Sequence, residues 1–176
     1  MTVVPMHSLF SVAASTNLPP VPTIATPTSA LNWKVGDSIS FSGGANDPED
    51  GAINAASLNW QLVLVHGNEI DPNNAHEHVI TNISGVSSGS FVAPDHEYPS
   101  WLIIRLTATD SQGLSATQSL RVDPRTTVLS FASSPSGLKI AFNGTEYTTP
   151  FSRTVITNSS SSVAAISPQV SGAVTY

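Results

Sequence analysis

The stretch Trp101-Leu102-Ile103-Ile104-Arg105-Leu106-Thr107-Ala108-Thr109-Asp110-Ser111-Gln112-Gly113 decides the fold class of this chain. Leu102, Ile104, Leu106 and Ala108 fall on one face of an extended backbone, and Trp101, Ile103, Arg105 and Thr107 on the other. That period of two is a strand, and Ser111-Gln112-Gly113 turns it into a second one through Leu114, Ala116, Leu120 and Val122. Upstream, Leu58, Trp60, Leu62 and Leu64 repeat the pattern, while Val63 and Val65 add a second apolar face. A strand apolar on both faces belongs in the middle of its sheet. Val35, Asp37, Ile39 and Phe41 mark an earlier strand, polar on the side of Ser38, Ser40 and Ser42 and closed by the turn Asn46-Asp47-Pro48-Glu49-Asp50-Gly51. A polar loop containing Asp71-Pro72-Asn73-Asn74 leads to His76-Glu77-His78-Val79-Ile80-Thr81, and Gly89-Ser90-Phe91-Val92-Ala93-Pro94 adds a short strand. Strands at this spacing predict an all-β, antiparallel sandwich of about seven strands.

Composition agrees with that class and excludes others. Over 176 residues, 40% hydrophobic content suffices for a packed core without a metal or disulfide staple. Charged residues make up only 10%, and the abundance of Ser, Thr, Gly, Pro and Asn suits secreted β-sandwich proteins and disfavours long helices. A net charge of −6 with six Lys and Arg leaves no basic surface for nucleic acid or anionic membranes. The absence of Cys excludes thiol chemistry, Cys-based zinc sites and disulfides. No apolar run approaches the roughly 20 residues of a membrane span. Residues 1–14 lack Lys and Arg and match a signal peptide poorly, so an export signal is expected upstream.

Residues 1–19, ending in Leu18-Pro19, read as a linker or the remnant of a preceding domain, and residues 20–124 as the sandwich, ended by Asp123-Pro124. Within residues 125–176 a smaller pattern follows: Leu129 and Phe131, then Leu138, Ile140 and Phe142, then the hairpin signal Asn143-Gly144. Nothing in sequence closes this unit after Tyr176, so it is expected to be incomplete or completed by a partner strand.

The phrases Ala45-Asn46-Asp47-Pro48-Glu49-Asp50-Gly51 and Leu106-Thr107-Ala108-Thr109-Asp110-Ser111-Gln112-Gly113 resemble the turns of PKD-type, immunoglobulin-like sandwiches. Ser134-Pro135-Ser136-Gly137-Leu138-Lys139-Ile140-Ala141-Phe142-Asn143-Gly144, followed by Thr149-Pro150-Phe151, resembles PEGA-type β units, which are commonly extracytoplasmic. The order of the two is similar to the region downstream of the propeller in bacterial glucose/sorbosone dehydrogenases. The propeller that would hold a quinone cofactor is not in this sequence, so the resemblance implies an extracellular or cell-surface accessory region and carries no oxidoreductase activity.

Three constellations are candidates for chemistry. His76 and His78, two apart on a strand, present imidazoles on one face, and an antiparallel neighbour can bring His66 opposite, with His96 and Glu97 on a nearby loop. Neutral imidazoles with a carboxylate suit Zn²⁺, Cu²⁺ or Ni²⁺. The competing reading is a set of solvent-facing histidines hydrogen-bonded to Asp71 or Glu77. Asp47, Glu49, Asp50 and Asp110 form a candidate Ca²⁺ site, or else ordinary Asx-type turn caps. Trp33, Tyr98 and Trp101 are candidate stacking rings for a sugar, with core burial as the alternative.

No nucleophile elbow, dinucleotide fingerprint or phosphate loop occurs, and Asp95 with Glu97 on one short loop is a poor glycosidase dyad. Asn82-Ile83-Ser84, Asn143-Gly144-Thr145 and Asn158-Ser159-Ser160 match the N-glycosylation pattern, which matters only for a eukaryotic source. The expectation is therefore a non-catalytic accessory or interaction module beside neighbouring domains, acting as spacer, adhesion unit or polysaccharide contact. The alternatives are a carbohydrate-binding module, a His-based metal-binding domain and a homo-oligomer assembled by β-edge pairing.

Overall fold

Leu58, Trp60, Leu62 and Leu64 face the same side of β5 (Leu58–His66), and β8 (Ser100–Thr109) pairs with it antiparallel from Leu58 opposite Ala108 to His66 opposite Ser100. The computed structural model describes residues 16–67 and 75–176, so the Asp71-Pro72-Asn73-Asn74 turn, residues 1–14 and most of the expected linker lie outside it. β9 (Ser115–Pro124), β2 (Asn32–Trp33) and β6 (His76–Ser84) complete a five-stranded sheet in the order β2-β9-β8-β5-β6. The facing sheet centres on β3 (Ser38–Asp47), which pairs antiparallel with β1 (Val21–Thr26), β4 (Gly51–Ala52) and β7 (Ser88–Val92). The chain is all-β, these two sheets form a sandwich, and the helical element among the described residues is one 3₁₀ turn, Ala55–Ser57. No helix of these residues is long and apolar enough to cross a membrane.

The expected β5 and β8 alternations form the core. Leu102, Ile104, Leu106 and Ala108 are fully buried with Trp60 and Leu62, against Ile39, Phe41 and Phe91 of the other sheet. Phe41 sits with its ring centroid 4.5 Å from both Trp60 and Phe91. That ring explains Gly89, because a Cβ there would lie 2.6 Å from it. Trp33 is part of this core, 0% exposed, with its indole N–H donating to Val122 O at 3.0 Å. It is therefore no sugar-stacking ring, which corrects the expectation. The sandwich holds more strands than the spacing predicted because β2 and β4 are two residues each, too short to show a period.

The second unit follows after one residue. β10 (Thr126–Phe131) pairs with β13 (Phe151–Ile156), and β11 (Lys139–Phe142) lies between β12 (Thr145–Thr148) and β14 (Val163–Ala165). A last hairpin joins β15 (Val170–Ser171) to β16 (Val174–Thr175). Asn143 and Gly144 take φ of 47° and 80°, the pair of positive values that a two-residue I′ hairpin requires.

The two units are stitched together at Arg125. Its N–H donates to Trp33 O at 2.6 Å and its carbonyl accepts from Thr157 N at 2.8 Å, while Val35 N donates to Thr157 O at 3.1 Å. Ile156, fully buried, packs into the sandwich core. Ile156→Ala is expected to lower stability by about 2–4 kcal/mol, the usual cost of truncating a buried aliphatic side chain. Urea unfolding followed by Trp fluorescence checks it, and a loss under about 1 kcal/mol would mean the units are not packed as one core.

Candidate metal centre

The histidines reach one site because β6 changes parity. Ile83 and Thr81 lie opposite the core-facing Trp60 and Leu62, so odd residues of β6 point inward at that end. The register then shifts, with Val63 opposite Val79 and Ile80 left over as a bulge. From there even residues face inward: His78 opposite Leu64 and His76 opposite His66. Were Ile80 paired opposite Val63 with no bulge, His76 and His78 would lie on the other face. Glu77 consequently points outward, where its carboxylate ion-pairs Arg105 at 2.7 Å. That ion pair turns Glu77 away from the histidines, so it is not their partner; Asp71, the other partner named in the competing reading, lies outside the described residues, and His76 and His78 are exposed, as that reading expected.

The third wall is the loop before β8, which supplies His96 and Glu97 and is pinned by Ser100 Oγ donating to Glu97 O at 2.9 Å. His66 is the hub. Ligand atoms of His66, His76 and His78 lie within 4.8 Å of one another, as do those of His66, His96 and Glu97. His66 Nε2 is 3.0 Å from His78 Nε2, so one imidazole donates to the other. Ring centroids of His76 and His96 are 4.0 and 4.4 Å from that of His66. His96 Nδ1 lies 3.2 Å from Glu97 O, and since a carbonyl only accepts, Nδ1 is the donor there and Nε2 is the nitrogen left for a metal.

Zn–N bonds of about 2.0–2.1 Å in a tetrahedron place ligand nitrogens about 3.3 Å apart, close to the observed His66–His78 separation. Burial holds the pKa of His66 below its ordinary 6.5, and charge on His96, His76 and His78 lowers it further against an opposing pull from Glu97. The neutral, metal-ready form is thus favoured.

The acidic turn constellation does not gather. Asp47 Oδ1 caps its own turn, accepting from Glu49 N and Asp50 N at 2.9 and 2.8 Å. Asp50 accepts from Ser111 N and Oγ at 2.7 and 2.9 Å, and Glu49 accepts from Leu18 N at 3.3 Å. Desolvation acts to raise the pKa of Asp110, but hydrogen bonds from Asn17 and from the N–H groups of Leu114, Gln112 and Gly113 outweigh it and hold the carboxyl below its usual range. No three of these carboxylates share ligand distance among the described residues, although Asp47 Oδ2 is buried without a partner. These are turn caps, and the Ca²⁺ expectation is corrected accordingly.

Of the candidate sugar-stacking rings, Trp101 is half-buried with the Arg121 guanidinium 4.2 Å from its centroid, so its open face is already covered. Tyr98 is exposed, beside the histidines, and lines a cleft with His66, His76 and Glu97. Asp95 accepts from Ser160 N of the second unit at 3.1 Å and is a tether between units, no partner of Glu97 in a dyad. The far wall of the cleft, with Tyr147 and Arg153, was not foreseen. No signal in the sequence links residues so far apart.

Comparison with protein-family models, with curated proteins and with solved structures finds no match.

Two outcomes test this geometry. Deleting Ile80 should regularise β6 while leaving His76 and His78 on the face of His66, so Zn²⁺ titration should show affinity retained. A strand with no bulge would instead turn both histidines outward on deletion and lose the ion. In the metal-free protein, the depressed pKa of His66 means the unfolded chain is protonated first as pH falls below 6.5. Stability should therefore drop through that range toward the lowered value, and His66→Gln should remove part of the drop in urea unfolding.

Proposed function

We propose that this chain is a metal-binding accessory module, a β-sandwich that holds a divalent transition ion such as Zn²⁺ on His66, His76 and His78, with His96 or Glu97 in reach as a further ligand. The observation that supports it is the convergence of four imidazoles and a carboxylate on the hub His66. All four are nitrogen donors fit for Zn²⁺, Cu²⁺ or Ni²⁺, and none of the neighbouring groups supplies the oxygen cage of Ca²⁺. The ion would tie the edge strand β6 to β5 and to the loop before β8.

The PKD-like reading of the sandwich is supported by one contact: the two turn phrases that suggested it meet through Asp50 and Ser111. The low charge and Ser- and Asn-rich composition support placement in a secreted protein beside other domains. The glycan reading keeps Tyr98 alone of its three rings and has no flat platform.

Thermal unfolding tests the metal directly. Zn²⁺ at a hundredfold over its dissociation constant should raise stability by about 2.7 kcal/mol, or Tm by roughly 5–10 °C for a chain of this size. His76→Ala and His78→Ala should remove most of the shift, and Ca²⁺ should give none. An unchanged Tm with Zn²⁺, Cu²⁺ and Ni²⁺ would refute the proposal.

A further inference from the structure

Between the sandwich and the second unit lies a cleft of about 440 Å³, within the range of small-molecule sites. One wall carries His66, His76 and Glu97, and the other carries Tyr147 and Arg153. The Arg153 guanidinium lies 3.8 Å over the Tyr147 ring, and one terminal nitrogen donates to Ser152 O at 3.0 Å. Its Nε–H is buried with no hydrogen-bond partner, and none of the ion pairs among the described residues uses it. Nε itself is sealed from solvent, so a ligand in the cleft would meet the guanidinium at its terminal nitrogens, planar donors that suit a carboxylate. Arg153 is also the one Lys or Arg among the described residues lining the cleft.

We infer that this cleft binds a small carboxylate ligand, with one carboxylate on Arg153 and another oxygen on the ion held by the histidines. The inference rests on the metal reading above for its second contact and on Arg153 alone for its first. A metal held by three histidines keeps a coordination position for such an oxygen. Tyr147 keeps the guanidinium plane fixed, so little freedom is lost when the carboxylate docks.

The test loads the full chain with Co²⁺, whose visible absorption reports its own ligands, and adds succinate as probe. Succinate should change the Co²⁺ spectrum saturably. In metal-free protein it should also shift the Arg153 Nε–H resonance in NMR. Arg153→Gln should keep the Co²⁺ spectrum yet raise half-saturation by about tenfold or more, and Arg153→Lys, which keeps the charge and loses the planar fork, should do nearly the same. A Co²⁺ spectrum that succinate leaves unchanged, or equal half-saturation in both variants, would overturn the bridged ligand. Absence of a protein-bound Co²⁺ band would overturn the metal reading, while the NMR shift still reads carboxylate binding at Arg153 separately. Inorganic phosphate binding more tightly than succinate would overturn the carboxylate assignment in favour of a phosphate site.

Discussion

The antiparallel ladder between β5 and β8 is the constraint on which the rest depends. β5 is buried on both faces, with Leu62 and Val63 equally sealed from solvent. Only a strand flanked on both sides and covered on both faces can carry such a sequence. Its inward face fixes where Phe41 and Phe91 must come to rest, and its end places His66 just beyond the apolar core. The candidate site continues the core stripe by one more position, with the imidazole of His66 in place of a leucine.

Polar interactions add placement more than stability. The ion pairs Arg105–Glu77, Arg121–Asp123 and Lys139–Glu146 are partly or largely exposed, and such pairs contribute about 0–1 kcal/mol each. Arg105–Glu77 nonetheless matters for orientation, since it holds Glu77 on the outer face and so keeps its neighbours His76 and His78 turned inward. The side-chain caps at Asp47, Asp50 and Asp110 do the same for the turns at which they sit.

The main strands were legible because residues such as Leu102, Ile104 and Leu106 repeat without interruption. Trp33 was misread because its strand is two residues long, so no period marked its burial. His76 and His78 were legible as a pair, since i and i+2 share a face whatever the register. Their face was not, because a bulge at Ile80 leaves no signature in an apolar run of Val79 and Ile80. Arg153 could not be found from sequence at all, since it lines the same cleft as His66 and His76 only through the packing of two units, and no local pattern encodes that.

The stitch at Arg125 bears on how this architecture can be moved between proteins. A chain cut after Pro124 would uncover the apolar ground beneath Ile156 and strip Trp33 O and Val35 N of their partners. The small unit is a lid on the sandwich and not a bead on a string. Shuffling of gene segments can therefore transplant the pair intact, whereas either half alone would arrive with an exposed and adhesive face.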